Sequence, residues 1–241
     1  MYCWRGKVGF LAPSRGDTFT YEFYKVVPDG IMLTTYCFNL KDLVTDELER
    51  VLGAMVEGAR ALARDGVDVM VGGGQPPVAL KGPDGDRILA EAIREVTDVP
   101  FMANARCEIE AMKAVGIRNV ALATPHVEDV NARLKTYLEG NGINVVAMKG
   151  LGILSPYKMT YVPKHEVYRL AKQVLAEAPD ADGIHFTCPR WATLNVIPDL
   201  ESDTGKPVTS CSQATTWASL KMLGIKKPIS GFGSLFETLG R

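Results

Sequence analysis

Short runs of apolar residues alternate along this chain with longer amphipathic segments. Gly, Pro or Asp bounds each apolar run, and several runs are continuous, which is typical of strands covered on both faces. Eight strands are predicted, at residues 8–12, 31–36, 67–71, 99–103, 120–123, 143–148, 183–187 and 207–210. Helices are predicted between them, at residues 46–64, 87–96, 107–115, 127–140, 165–178 and 213–223. This alternation predicts an α/β protein with parallel sheets and right-handed crossovers.

The chain also resembles itself at a spacing of about 110 residues, far longer than the period of a solenoid repeat. Three pairs of segments match in the same order: 8–13 with 120–125, 67–76 with 181–190, and 112–117 with 220–225. We therefore expect two pseudo-symmetric Rossmann-like lobes, each a parallel sheet flanked by helices, with the active site in the cleft between them. The N-terminal lobe is expected to comprise residues 1–115 and 225–241, and the C-terminal lobe residues 116–224. The last strand-like stretch, 229–236, is expected to return to the N-terminal lobe.

Composition excludes several classes of protein. The formal net charge of −1, from 27 basic and 28 acidic residues, gives no bias toward nucleic acid or an anionic membrane. The five cysteines are odd in number and lack a CxxC spacing, so neither a disulfide scaffold nor a zinc ribbon is expected. No His, Asp and Glu residues have the spacing of metal ligands, and no apolar run is long enough to span a bilayer. We expect a cytoplasmic protein without a metal, and the oligomeric state stays open.

Ligands of open parallel sheets bind beyond the carboxyl ends of the strands, so the residues that follow the matched strands are the candidate site. These are Pro13, Ser14, Gly74, Gln75, His126, Cys188, Pro189 and Arg190. Cys188 is the strongest candidate, because a thiol between a strand and a proline at the first turn of a helix has a lowered pKa. Such a cysteine acts as a nucleophile or as a general acid or base, the alternative being a small buried apolar side chain.

The other candidates carry weaker signals. His126 is suited to donating to an oxyanion, and Arg190 to pairing with a substrate carboxylate, although a polar loop residue and a surface arginine are equally good explanations. Met159 is expected in the pocket wall or the core. His165 and His185 are expected to be structural. The glycines before Gln75 lack the pattern of a phosphate loop, and Pro76 and Pro77 remove backbone donors.

Particular segments carry a resemblance to a known family. The duplicated halves, Thr187 with Cys188, residues 121–125 with Asp129 and Asn131, and residues 208–213 with Trp217 resemble the aspartate/glutamate racemase superfamily. Within it, the chain is most similar to the arylmalonate decarboxylases and the maleate cis-trans isomerases. The resemblance implies a small dicarboxylate substrate and no cofactor. The racemases use two cysteines of the cleft, whereas Gly74 occupies the second position here, which is the pattern of the decarboxylases.

In those decarboxylases, loss of CO2 leaves an enediolate that the single cysteine protonates on one face. Their carboxylate-binding hole uses backbone N–H groups and hydroxyl side chains, where this chain has Gln75, Pro76 and His126. Three functions follow as hypotheses. The first is a cofactor-independent decarboxylase of a malonate-like diacid, with Cys188 as proton donor. The second is a maleate-type or racemase-like isomerase with Cys188 as nucleophile. The third is a non-catalytic protein that binds small acids.

Overall fold

The computed structural model describes residues 2–14 and 17–240, which form two α/β lobes. The strands are β1 (Gly6–Ala12), β2 (Ile31–Cys37), β3 (Val69–Gly72), β4 (Phe101–Ala103), β5 (Asn119–Thr124), β6 (Asn144–Gly150), β7 (Gly183–Phe186) and β8 (Val208–Ser210). The α-helices are α1 (Asp17–Val26), α2 (Thr45–Arg64), α3 (Gln75–Ala79), α4 (Gly85–Arg94), α5 (Asn104–Ala114), α6 (Glu128–Gly140), α7 (Pro156–Met159), α8 (Lys164–Glu177), α9 (Ile197–Thr204) and α10 (Cys211–Met222). Short 3₁₀ helices lie at Gly82–Asp84, Leu194–Val196 and Ser234–Thr238.

The two sheets have the same strand order. One is ordered β2-β1-β3-β4 and the other β6-β5-β7-β8, and every neighbouring pair is parallel. The central strands β3 and β7 are buried along their whole length, as expected of strands covered by helices on both faces. The duplicated α/β architecture predicted from the sequence is therefore confirmed.

The eight strands predicted between residues 8 and 210 all form, with ends within two residues of those expected. Four helices were not predicted: α1, α3, α7 and α9. Helices α3 and α7 have only five and four residues, too few to show an apolar period. Helix α1 does carry such a signal, because its buried Phe19, Phe23 and Val26 are spaced four and three residues apart.

The carboxyl-terminal segment packs on the N-terminal lobe. Leu235 and Phe236 lie in one apolar cluster with Phe10 of β1. The segment is not the strand expected at 229–236, because Gly231 and Gly233 both have φ of 89°, outside the extended region, and a 3₁₀ helix follows. We propose that residues 1–115 with 225–241 and residues 116–224 are the two lobes, a division that this packing supports.

Helix α10 is buried over nearly its whole length and packs against α5, the helix that holds the equivalent place in the other half. The two lobes therefore share a buried helical interface behind their sheets, and the carboxyl ends of the strands meet at a cleft. Within the described part of the chain, none of the helices combines the length and apolar character that crossing a bilayer requires.

Candidate active site

A narrow cavity lies at the carboxyl ends of the strands. It brings together all nine residues that the sequence singled out: Pro13, Ser14, Gly74, Gln75, His126, Met159, Cys188, Pro189 and Arg190. A larger and more open groove lies elsewhere, beside Glu201 and Lys206. That groove is lined by no cysteine or histidine among the described residues, and the Glu201 carboxylate is occupied by the backbone N–H groups of Val208 and Ser234. The smaller cavity is therefore the candidate active site.

Cys188 lies just beyond β7 with a φ of 87°, in the left-handed region that residues other than glycine rarely adopt. The helix expected to start at Pro189 is not formed. Residues 189–190 make a turn, and the next helical residue is Leu194. The prediction that a helix dipole lowers the pKa of the thiol is therefore wrong. Burial raises the pKa of Cys188 to about 11, although the backbone N–H groups of Arg190 and Trp191 act in the opposite direction. At neutral pH the side chain is a protonated thiol.

The wall around the thiol is apolar. The Cys188 thiol contacts the thioether of buried Met159, with 3.6 Å between the two sulfur atoms. Leu40, Leu43 and Pro156 complete this wall, and the sequence analysis missed all three. Leu40 and Leu43 follow β2, and Pro156 follows β6, so the rule about carboxyl ends would have found them had it been applied to every strand.

Arg190 is buried, lines the cavity and connects several of the residues around it by hydrogen bonds. Its Nε donates to the carbonyl oxygen of Pro156 at 2.9 Å, and its Nη1 donates to Ser14 Oγ at 2.9 Å. Its Nη2 lies 3.4 Å from Thr160 Oγ1 and 4.0 Å from the Asp17 carboxylate. Since Ser14 Oγ accepts from the guanidinium, the Ser14 hydroxyl keeps its own hydrogen for a ligand.

His126 is a neutral imidazole in the wall of the cavity. Burial lowers its pKa to about 3. Its backbone is held on both sides, by an N–H bond to Thr124 Oγ1 at 3.2 Å and by its carbonyl oxygen, which accepts from Gly152 N–H at 3.2 Å. Neither ring nitrogen has a hydrogen-bond partner among the described residues. Both nitrogens are buried, so the neutral ring has one donor and one acceptor that are unsatisfied in the part of the chain that the structure describes.

Gly74 and Gln75 connect β3 to α3. Gly74 has a φ of 72°, and a Cβ at this position would lie 3.0 Å from Pro13 Cγ, so any side chain here would be strained in its backbone and crowded by Pro13. Its N–H donates to Asn104 Oδ1 at 3.1 Å. The Gln75 amide nitrogen donates to the buried carboxylate of Glu108, and Gln75 Oε1 has no partner within the described structure.

Glu108 links the two lobes beneath the cavity. Besides the bond from Gln75, its Oε2 lies 2.6 Å from His185 Nε2, and His185 Nδ1 lies 2.8 Å from Thr209 Oγ1. Burial raises the pKa of the Glu108 carboxyl. No sequence pattern indicates this network, because Glu108 lies inside α5 and its partners are remote in sequence.

Comparisons with known proteins agree with this architecture. The family model described as arylmalonate decarboxylase matches residues 8–236. Arylmalonate decarboxylase of Bordetella bronchiseptica is 28% identical over 231 residues, which cover 95% of this chain and 96% of that protein.

Two solved structures superpose over nearly the whole chain. A liganded mutant of arylmalonate decarboxylase, in which a glycine is replaced by cysteine and a cysteine by serine, has a TM-score of 0.90 at 27% identity. The alignment covers 96% of this chain and 99% of that one. A maleate isomerase mutant from Pseudomonas putida S16, solved with maleate, has a TM-score of 0.89 at 25% identity and covers 97% and 98% of the two chains. With a duplicated α/β fold and a family model that spans both lobes, this chain belongs to the arylmalonate decarboxylase family.

Proposed function

We propose that this protein is a cofactor-independent decarboxylase of a malonate-like dicarboxylic acid, in which Cys188 donates the proton that replaces the departing carboxyl group. The observation that carries the proposal is a buried, protonated thiol in an apolar cavity, with a raised pKa of about 11. A thiol in this state is suited to general-acid catalysis. The arylmalonate decarboxylase relative and the family match support the same reaction class.

The reaction proceeds through an enediolate. The bond between the α-carbon and one carboxylate breaks, CO2 leaves, and the electron pair moves into the remaining carboxyl group. The S–H bond of Cys188 then breaks as its proton moves to the α-carbon, which gives the monoacid and a thiolate. The thiolate recovers a proton from solvent, so one proton is consumed for each CO2 released. The N–H groups of Arg190 and Trp191 stabilise the thiolate while it exists.

Two side chains supply donors for the developing charge of the enediolate. The Ser14 hydroxyl is free to donate because the Arg190 guanidinium already occupies its oxygen. The His126 ring supplies one N–H, and as a neutral imidazole it donates without itself losing a proton. Such preorganised donors are typically worth about 10²–10³-fold each in rate. Arg190 acts behind Ser14 as a positioning residue and brings a positive charge near the site.

The departing carboxylate is placed against the apolar wall formed by Leu40, Leu43 and Met159. A carboxylate is poorly solvated there, whereas CO2 is neutral, so the apolar surface favours loss of CO2. Pro76 and Pro189 add to this effect because they lack the N–H groups that would stabilise the carboxylate.

An isomerase is the second candidate, favoured by the superposition on maleate isomerase. That reaction would use Cys188 as a nucleophile, which requires a thiolate. A thiol with a pKa near 11 is a weak nucleophile at neutral pH, and Gly74 occupies the place expected for a second cysteine. These observations favour the decarboxylase.

The test is a mass balance on substituted malonates and maleate with wild-type protein, Cys188→Ala and Cys107→Ala. Cys107 is a matched control, since it is a buried cysteine that does not line the cavity. We expect one CO2 per malonate consumed, turnover at least about 10²-fold lower in Cys188→Ala, and turnover retained in Cys107→Ala. Isomerised maleate without CO2, or CO2 release that survives Cys188→Ala, would contradict the proposal.

A further inference from the structure

One polar group of the Gln75 amide is hydrogen-bonded within the described part of the protein and the other is not. It is buried and lines the cavity, and its amide nitrogen donates to Glu108. Its carbonyl oxygen has no hydrogen-bond partner among the described residues. A buried acceptor of this kind is unfavourable unless something bonds to it.

Glu108 determines which end of the Gln75 amide is hydrogen-bonded within the protein. Its Oε2 already accepts from His185 Nε2, whose other nitrogen, Nδ1, pairs with Thr209 Oγ1. If the Gln75 amide were reversed, its carbonyl oxygen would lie against Glu108 Oε2, which already serves as the acceptor for His185 Nε2, and two acceptors would repel each other. The network therefore holds the amide nitrogen toward Glu108 and leaves the carbonyl oxygen for a ligand.

The carboxylates of a diacid cannot satisfy this oxygen, because at neutral pH they carry no hydrogen. We propose that Glu108, acting through Gln75, makes the cavity selective for a diacid with a hydroxyl or amino group on the reacting α-carbon. That group donates to Gln75 Oε1. The inference rests on the proposed function for the diacid itself and specifies its substituent. Gln75 is the specificity-determining residue, and Glu108 is a positioning residue.

Hydroxymalonate and methylmalonate test this inference, because they differ by a hydroxyl in place of a methyl group of similar size. Calorimetric binding to Cys188→Ala protein avoids turnover. We expect hydroxymalonate to bind about tenfold more tightly than methylmalonate, the effect of one net hydrogen bond. Adding Gln75→Met, which keeps the length of the side chain and removes both ends of the amide, should abolish the preference.

Two further variants separate positioning from general disturbance of the network. In Glu108→Gln, an amide replaces the carboxylate and can pair with either orientation of the Gln75 amide, so the preference should fall severalfold. In Thr209→Val, the far end of the network is disturbed without a change beside Gln75, so the preference should persist. Circular dichroism and thermal melting establish that each variant is folded.

Equal binding of the two diacids, no binding of either, or a preference that survives Gln75→Met would overturn the inference. CO2 release by wild-type protein is measured separately with both compounds. Release without a hydroxyl preference would leave the decarboxylase standing and reject the role of Gln75. A hydroxyl preference without release would support the role of Gln75 and reject the decarboxylase.

Discussion

Raising the pH above neutrality should leave Cys188 protonated well after an ordinary cysteine has ionised. Burial moves the pKa of this thiol from its usual 9.0 to about 11. This increase lowers the thiolate fraction at neutral pH about a hundredfold, which corresponds to about 3 kcal/mol against the charged form. The cause is the loss of solvation in a site where the residue is only 7% exposed.

The sign of the pH dependence follows from the role of the group. A general acid acts in its protonated form, which is present below the pKa. Cys188 should therefore cause no loss of kcat between neutral pH and about pH 10, and the loss should begin as the pH approaches 11. A nucleophilic cysteine would give the opposite profile, with activity rising as the thiolate forms.

The thiolate absorbs in the ultraviolet, so a titration of wild-type protein minus Cys188→Ser reports this one group. Alkylation by iodoacetamide, followed peptide by peptide, gives a second measurement, with the partly exposed Cys3 and Cys37 as internal references. Cys188 should be alkylated far more slowly than either at neutral pH. A difference titration with a midpoint near neutrality, or alkylation as fast as that of the references, would refute both the burial argument and the general-acid assignment.

Two other substitutions test how the site is held. Gly74→Ala should lower stability more than Gly116→Ala does, and it should lower kcat at least about tenfold. At both positions φ is positive, so alanine costs about 1–2 kcal/mol of backbone strain, but only at Gly74 does the new Cβ contact Pro13. Denaturant unfolding and turnover measure this, and equal effects would contradict it. Glu22→Ala should destabilise the protein by about 2–4 kcal/mol, because the buried carboxylate accepts from the two backbone N–H groups of residues 193–194, beyond the cysteine turn. Glu22→Gln, which keeps an acceptor, should cost less, and a harmless Glu22→Ala would show that water replaces the carboxylate.

Much of the fold could be predicted from local pattern. The strands are continuous apolar runs because both sheet faces are covered, and the repeat of about 110 residues is visible because each half forms the same unit. Helices α3 and α7 were not predicted, because a helix of about one turn is too short to show a periodic pattern of apolar residues. The segment at 229–236 looked like a strand, but its two left-handed glycines bend the chain. The hydrophobic pattern does not predict secondary structure correctly where a segment is short, or where glycines with positive φ interrupt an otherwise strand-like run.

The pattern of strands predicted where the site lies, but it did not predict the chemistry of the site. The rule about carboxyl ends identified eight of the residues that line the cavity, Cys188 among them, because parallel strands of related lobes end at a common edge. The sequence also predicted a lowered thiol pKa, which was wrong, since it assumed a helix where a turn forms. Burial, which no local pattern reports, controls this pKa.

By itself, then, the sequence determined the duplicated α/β fold, the edge where ligands bind and the cysteine at that edge. Only the tertiary structure decided the protonation state of the Cys188 thiol, the hydrogen bond from Arg190 that positions Ser14, and the orientation of the Gln75 amide. The physical reason is distance along the chain. Ser14 and Arg190 are 176 residues apart, and Glu108 and His185 are 77 apart, yet each pair is in hydrogen-bond contact. Strand and helix patterns come from neighbouring residues, whereas solvation and hydrogen-bond partners come from residues that only folding brings together.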